Sequence, residues 1–551
     1  MRARLGLGTR VTMLAAGLVA LVVATPAQAP PFDVLITGGQ VLDGTGAAAV
    51  RADVGIRGDR VAAIGQLAGQ PARRAIDASG LVVAPGFIDL HTHSEMPLVA
   101  DGNAQSKVRQ GVTLDVTGES TSAAPRDHLE EQGQDGLTPD WRTFGEYFAR
   151  LERQGISINT IAHVASEQIR RVVMGYDRAT ATPAQRKQMT DLVARSMEEG
   201  AWGLVTRFES GGPEHPEEVL DMARTVARHG GNYTSHTGSE GHEQAREFDY
   251  AIRVAAQAKI PVHIFHFKIR GVPLWGTIDR YIAQLEAARA RGLDVTANQY
   301  PYTAMFHGWN AFFPLWMREG GPAQFAARLK DPAARARLKA DKDFATWAEE
   351  HGGWTGIALA RARTGKNRQY EGKRIADIAK LRGDADPMDT CIDIMAEEGG
   401  QVSGIFHTMS EADVRKVMRL PWVAVASDGS AINLDAPGVP HPRNYSTNVR
   451  VLGHYVRDEK VLTLPDAVRK MTGLPASILG LTDRGLLKAS YAADVAVFDP
   501  ATVGETNSFE RPKSYARGVP YVLVNGVVVI DKGEHTGARP GRPLRGRGWK
   551  S

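Results

Sequence analysis

The sharpest chemical signal in the chain is the run Pro85-Gly86-Phe87-Ile88-Asp89-Leu90-His91-Thr92-His93. An apolar strand ending in His-x-His sets two imidazoles on one face, because alternate side chains of a strand point the same way. Such nitrogens can reach one cation, and zinc is the metal they suit. Two further histidines end later strand-like runs: His236 closes 232–236, and His266 follows His263-Ile264-Phe265. Either one alone reads as an ordinary core or rim histidine, but with His91 and His93 they form a set. His263, three positions before His266, falls by alternation on the opposite face and is expected to be structural. The run Val423-Ala424-Val425-Ala426 delivers Asp428. An Asp beside a metal-activated water can take its proton and later pass it to a leaving nitrogen, whereas in isolation Asp-Gly is a turn signal.

These side chains meet only if the strands that carry them close into a ring. Eight strand-like runs, near 83–90, 113–116, 157–162, 203–205, 232–235, 262–265, 293–297 and 423–426, alternate with helix-like stretches. That pattern predicts an α/β fold, a distorted (β/α)8 TIM barrel whose catalytic rim lies at the C-terminal strand ends. The gap before the last strand is too long for one βα connection, so an insertion is expected at about 305–400 within a barrel spanning 85–484. Short apolar runs punctuated by Gly and Asp occur at 32–36, 53–56 and 61–64 and return only at 493–498 and 521–530. They predict a small β-sandwich domain built from both chain ends, 31–84 with 485–540.

At 551 residues, 43% hydrophobic and 23% charged, the chain has room for one large domain and a smaller one. The formal charge is +4; taking away Arg2, Arg4 and Arg10 leaves +1. Those three arginines lie in a segment with an apolar run over 11–23 and an Ala27-Gln28-Ala29 exit, which reads as a signal peptide over 1–29. The run is short for a membrane span, so an exported, periplasmic or secreted protein without a stable span after processing is expected. The remaining basic excess gathers in the tail, 541–551, which reads as a solvated end. Nucleic acid is not the expected partner. With Cys391 the only cysteine, no intrachain disulfide can form.

The His-x-His strand, the two later histidines and Asp428 resemble the amidohydrolase superfamily. Three stretches resemble its N-acyl-D-amino-acid deacylases: 228–236 with its His-Gly-Gly, 441–457 with His441-Pro442-Arg443, and 521–542. The resemblance implies a zinc site at the barrel mouth, with the tighter ion held by a residue after the second strand, His236 and His266. It implies that His91 and His93 face a second, weaker site, so one or two zinc ions are expected, and that Lys268 and Tyr300 contact the substrate carboxylate. The chain departs from the family at three places. Where relatives carry Asn-Cys it reads Val116-Thr117-Gly118-Glu119, and Glu119 supplies an oxygen ligand that could bridge two metals. No carboxylated lysine competes for that role, because 203–207 contains no Lys. After His236, Thr237-Gly238-Ser239-Glu240 lacks a family arginine, and Met305-Phe306 stand where relatives have Gly-Ser.

The expected activity is deacylation of a small N-acyl-D-amino acid or short peptide by metal-activated water, with Asp428 moving the proton. A dipeptidase acting on a C-terminal D-residue, a cyclic-amide hydrolase and a catalytically silent binding barrel are the alternatives. Arg207 and Arg443 are expected to be structural ion-pair partners.

Overall fold

Eight parallel strands form where continuous apolar runs can be buried on both faces. The computed structural model describes residues 32–119, 122–126, 137–175, 177–207 and 215–550, and the expected signal peptide at 1–29 lies outside them. The strands are Phe87–Asp89, Val112–Thr117, Asn159–Ala162 continued by Val164–Ala165, Gly203–Arg207, Asn232–His236, Val262–Ile264, Val295–Gln299 and Val423–Val425. All of their pairings are parallel. The ladder runs in two arcs, strands one to three and strands three to eight, which part at His163 within the third strand.

The seam between the eighth strand and the first is closed just beyond the strand ends. Thr92 bridges Gly429, Asp428 N donates to His91 O at 2.9 Å, and His93 N donates to Gly429 O at 2.9 Å. Beneath that bridge, side chains replace the ladder. Lys107 Nζ donates to Asp89 Oδ2 at 2.9 Å and to Ser427 Oγ at 2.7 Å, while Ser427 N donates to Asp89 Oδ1 at 2.8 Å. All three residues are fully buried.

A second gap opens beside the first half of the third strand, because the fourth strand pairs only with Val164–Ala165. The C-terminal tail fills it. Gly541 N donates to Ile156 O (2.8 Å), Arg542 O accepts from Thr160 N (3.1 Å), Leu544 N donates to Thr160 O (2.8 Å), and Gly546 N donates to Gly200 O (3.0 Å). Arg545 pairs with Glu152 at 2.8 Å and Lys550 with Glu198 at 2.6 Å. The tail is therefore a surrogate strand and not the solvated end its composition predicts. Its charges face partners on the surface while its backbone satisfies buried polar groups.

The two chain ends build one nine-stranded sheet, ordered so that Val495–Phe498 pairs antiparallel with Val82–Pro85. The long strand Phe32–Val41 pairs with Ala72–Asp77 through its first half and with Val82–Pro85 through its second. Both arms contribute to a single core that includes Val34, Ile56, Val83, Val497 and Leu523. Between the seventh and eighth barrel strands lies an antiparallel three-stranded sheet, Ala304–Gly308, Ser403–His407 and Ile357–Arg361. It has its own aromatic core, with Trp309, Phe313, Phe344 and Phe406 among its members. Among the described residues no helix is long and apolar enough to cross a membrane.

Candidate metal centre

Each expected site residue stands at or just past the C-terminal end of a barrel strand. His236 is the last residue of its strand, and Glu119 follows Val112–Thr117 after Gly118. Gly118 has φ +127°, and a Cβ there would meet His163 O at 2.6 Å, so only glycine lets the chain turn Glu119 inward. His266, Asp428 and Glu240 have φ of 31°, 50° and 50°. Positive φ in three non-glycine residues of one mouth is strain of about 1–3 kcal/mol each, tolerated where the surroundings over-determine the conformation.

Glu119 is the centre of the cluster. Its Oε2 meets His91 Nε2 in a very short contact and lies 3.4 Å from His93 Nε2, while its Oε1 lies 3.5 Å from His236 Nε2. Two overlapping groups result: His91, His93, Glu119 and Asp428, and Glu119, His236 and His266, each with ligand atoms within 4.8 Å of one another. The ring of Phe265 stacks on His91 with centroids 3.8 Å apart and fixes its plane.

The histidines divide by protonation: against burial, the hydrogen bond with Asp428 and the charge of Glu119 pull His93 up to about 9. Burial lowers His91 and pushes His236 well below its ordinary value, so both offer lone pairs. Burial alone would raise Glu119, but His236 and His91 outweigh it and hold the carboxylate well below its usual range. Asp428 is likewise held anionic against burial, first by Arg443 and then by His91. The Nδ1 atoms of His91 and His236 are buried without a hydrogen-bond partner among the described residues. Neutral imidazole nitrogens converging on carboxylate oxygens are the donor set of zinc, and the residues present fit it.

Asp428 Oδ1 accepts from His93 Nε2 at 3.0 Å, and its Oδ2 lies 2.7 Å from Arg443 Nη1. Arg443 is thus an ion-pair partner, as expected, but its partner is the rim aspartate itself. Lys268 is buried and pairs with Glu240, which also lies 2.9 Å from His266 Nδ1. Glu240, noted in the sequence only for the arginine it lacks, is a site carboxylate, and its place four residues beyond His236 was the one signal for it. The Tyr300 ring lies near both Lys268 and Arg443, whose charges are 5.3 and 5.0 Å from its centroid.

Two expectations are corrected. The ladder stops at Ile264, so strand alternation does not relate His263 to His266. His263 is structural for another reason, its hydrogen bonds of 2.9 Å with Thr296 and Asn298 on the next strand. Among the described residues no carboxylate pairs with the Arg207 guanidinium, whose Nη2 donates to His307 Nε2 at 2.8 Å; its backbone N donates to Glu167 Oε1 at 2.7 Å.

The cluster floors a cavity of about 530 Å³. The insertion supplies one wall, including Met305, Phe306 and His307, and the segment after the eighth strand supplies another through Ile432, Pro437 and Val439.

A sequence model described as the amidohydrolase family matches residues 74–530. The chain is 34% identical over 527 residues to the D-aminoacylase of Alcaligenes xylosoxydans xylosoxydans, covering 93% of this chain and 98% of that one. It is 32% identical over 522 residues to the N-acyl-D-glutamate deacylase of the same organism, with 93% and 96% covered. Among solved structures, the Bordetella bronchiseptica N-acyl-D-glutamate deacylase, complexed with zinc and a phosphonate mimic of the tetrahedral intermediate, superposes with TM-score 0.78 at 30% identity, covering 93% of this chain and 99% of that one. A D-aminoacylase with a binuclear metal centre gives 0.77 at 31%, covering 94% and 100%. A D-hydantoinase, at 15% identity and TM-score 0.53, shares the fold alone.

Proposed function

The chain belongs to the amidohydrolase family, and from that premise we propose that it is a zinc-dependent deacylase of N-acyl-D-amino acids. The observation that carries this reading is Glu119, an ionised carboxylate shared by two ligand groups, with Asp428 on the rim of one of them.

Glu119, His236 and His266 would hold one ion, and His91 and His93 would face a second beside Glu119 and Asp428. Zinc held there would supply Lewis acidity for activating water and polarising the scissile carbonyl. Asp428 Oδ1, directed at His91 and His93, takes the proton of the attacking water and hands it to the departing nitrogen. Arg443 holds Oδ2 and keeps the carboxylate ionised despite its burial. Lys268, Tyr300 and Arg443 form the cationic face on which the α-carboxylate rests, fixing which hand of the stereocentre presents its amide to the metal. The insertion forms one wall of the cavity in which the reacting bond would lie.

The segment 1–29 supports export, so the deacylase would act outside the cytoplasm. N-terminal sequencing of the mature protein tests that; an intact Met1 on the active enzyme contradicts it.

The test of function is a stereochemically paired panel of N-acetyl amino acids given to zinc-loaded enzyme, together with the Asp428→Asn variant. D-substrates are expected to release free amine, and Asp428→Asn to retain zinc while losing about 10²–10⁴-fold in kcat. Full turnover in that variant, or activity confined to cyclic amides, contradicts the assignment.

A further inference from the structure

Arg207 ends the fourth barrel strand in register with His236, so the two backbones stand one strand spacing apart, about 4.8 Å. Val205, on the same face two positions earlier, packs against Phe265 inside the barrel. Alternation therefore carries Arg207 to the mouth, where it lines the cavity.

The insertion steers its guanidinium. His307 Nδ1 donates to the Gly308 carbonyl at 2.9 Å, so His307 Nε2 carries the lone pair that accepts from Arg207. The imidazole is neutral, held down at about 4 by burial and by Arg207 itself. An arginine held by a carboxylate shares its charge with that partner; one held by a neutral imidazole is oriented and keeps its charge whole. The other inner cations, Lys268 beside Glu240 and Arg443 beside Asp428, already serve the α-carboxylate face. Arg318 and Arg361 line the same cavity and add to its positive potential.

We propose that Arg207 is a specificity-determining residue that receives a second carboxylate on the substrate, carried by the amino-acid side chain or by the acyl arm. This rests on the deacylase reading and narrows it to dianionic N-acyl-D-amino acids. One carboxylate meets the Lys268, Tyr300 and Arg443 face, and the other meets the guanidinium, which accepts a carboxylate through two parallel N–H donors.

The experiment compares kcat/KM of the zinc-loaded enzyme within two pairs: N-acetyl-D-glutamate against its neutral isostere N-acetyl-D-glutamine, and N-succinyl-D-alanine against N-butyryl-D-alanine. One charged member is expected to exceed its neutral partner by about 10- to 100-fold. Which pair shows it places the second carboxylate on the side chain or on the acyl arm. In Arg207→Gln that ratio should collapse toward one, in Arg207→Lys it should partly return, and in His307→Phe it should fall by a smaller factor. On the unaltered enzyme, glutarate should inhibit at least about ten times more tightly than butyrate, a readout that needs no variant to fold. A wild-type ratio near one in both pairs, a ratio untouched by Arg207→Gln, or equal inhibition by the two acids overturns the role of Arg207. Cleavage of none of the four substrates overturns the deacylase reading instead.

Discussion

Asp428 answers two opposed demands: it is buried, which favours the neutral acid, and it must be anionic to accept a proton. Arg443, 2.7 Å from Oδ2, decides the matter for the charged form. Because that cation lowers the pKa of Asp428, its removal raises it, and the basic form is then lost at a higher pH as acidity increases. In Arg443→Met the acid limb of the kcat/KM profile should move to higher pH, a shift read from pH–rate curves; an unmoved limb would show that another group sets it. The four histidines and Asp428 of the candidate cluster were legible in the sequence because residue type and strand-end position suffice to name them, whereas Glu119 came from the family resemblance. Glu240, and the real reason for the placement of His266, were not, since both depend on positive φ in turns where alternation has already ended.

The seam between first and eighth strands shows what an element needs beyond its own pattern. The strands themselves were legible because their runs are apolar and bounded by turn residues. Their closure was not, because it rests on Lys107, carried by the short helix Gln105–Val108, reaching Asp89 and Ser427 in the dry interior. Lys107→Met strands the Asp89 carboxylate, a loss of about 3–5 kcal/mol for a broken buried pair. A marked fall in melting temperature is expected, with weaker zinc retention because His91 and Asp428 hang from the same seam. The double variant Lys107→Met, Asp89→Leu should recover much of that stability, since it leaves no charge unpaired. Equal damage in the single and double variants would show that the pair is not what closes the ring. The insertion was legible only as a connection too long to be a loop; the contacts that make it a cavity wall join residues far apart in sequence.

Across the whole molecule, composition misled about the tail, since arginine and glycine predict solvation while the backbone of 541–546 does the work of a strand. Removing 541–551 uncovers Ile156 O and both backbone groups of Thr160, each costing about 1–3 kcal/mol if left unpaired. The truncated chain should melt several degrees lower, and it should expose the third strand to proteolysis even though the zinc cluster loses no ligand. Undiminished melting would mean that water replaces the tail without cost. The same wiring governs the order in which the molecule can be completed. Arg542 meets Asp59 across 483 positions of sequence, and the first residues of the sheet domain wait for partners near the end. The barrel therefore cannot be finished before the stretch 541–546 is synthesised, and its third strand keeps an unpaired flank until then.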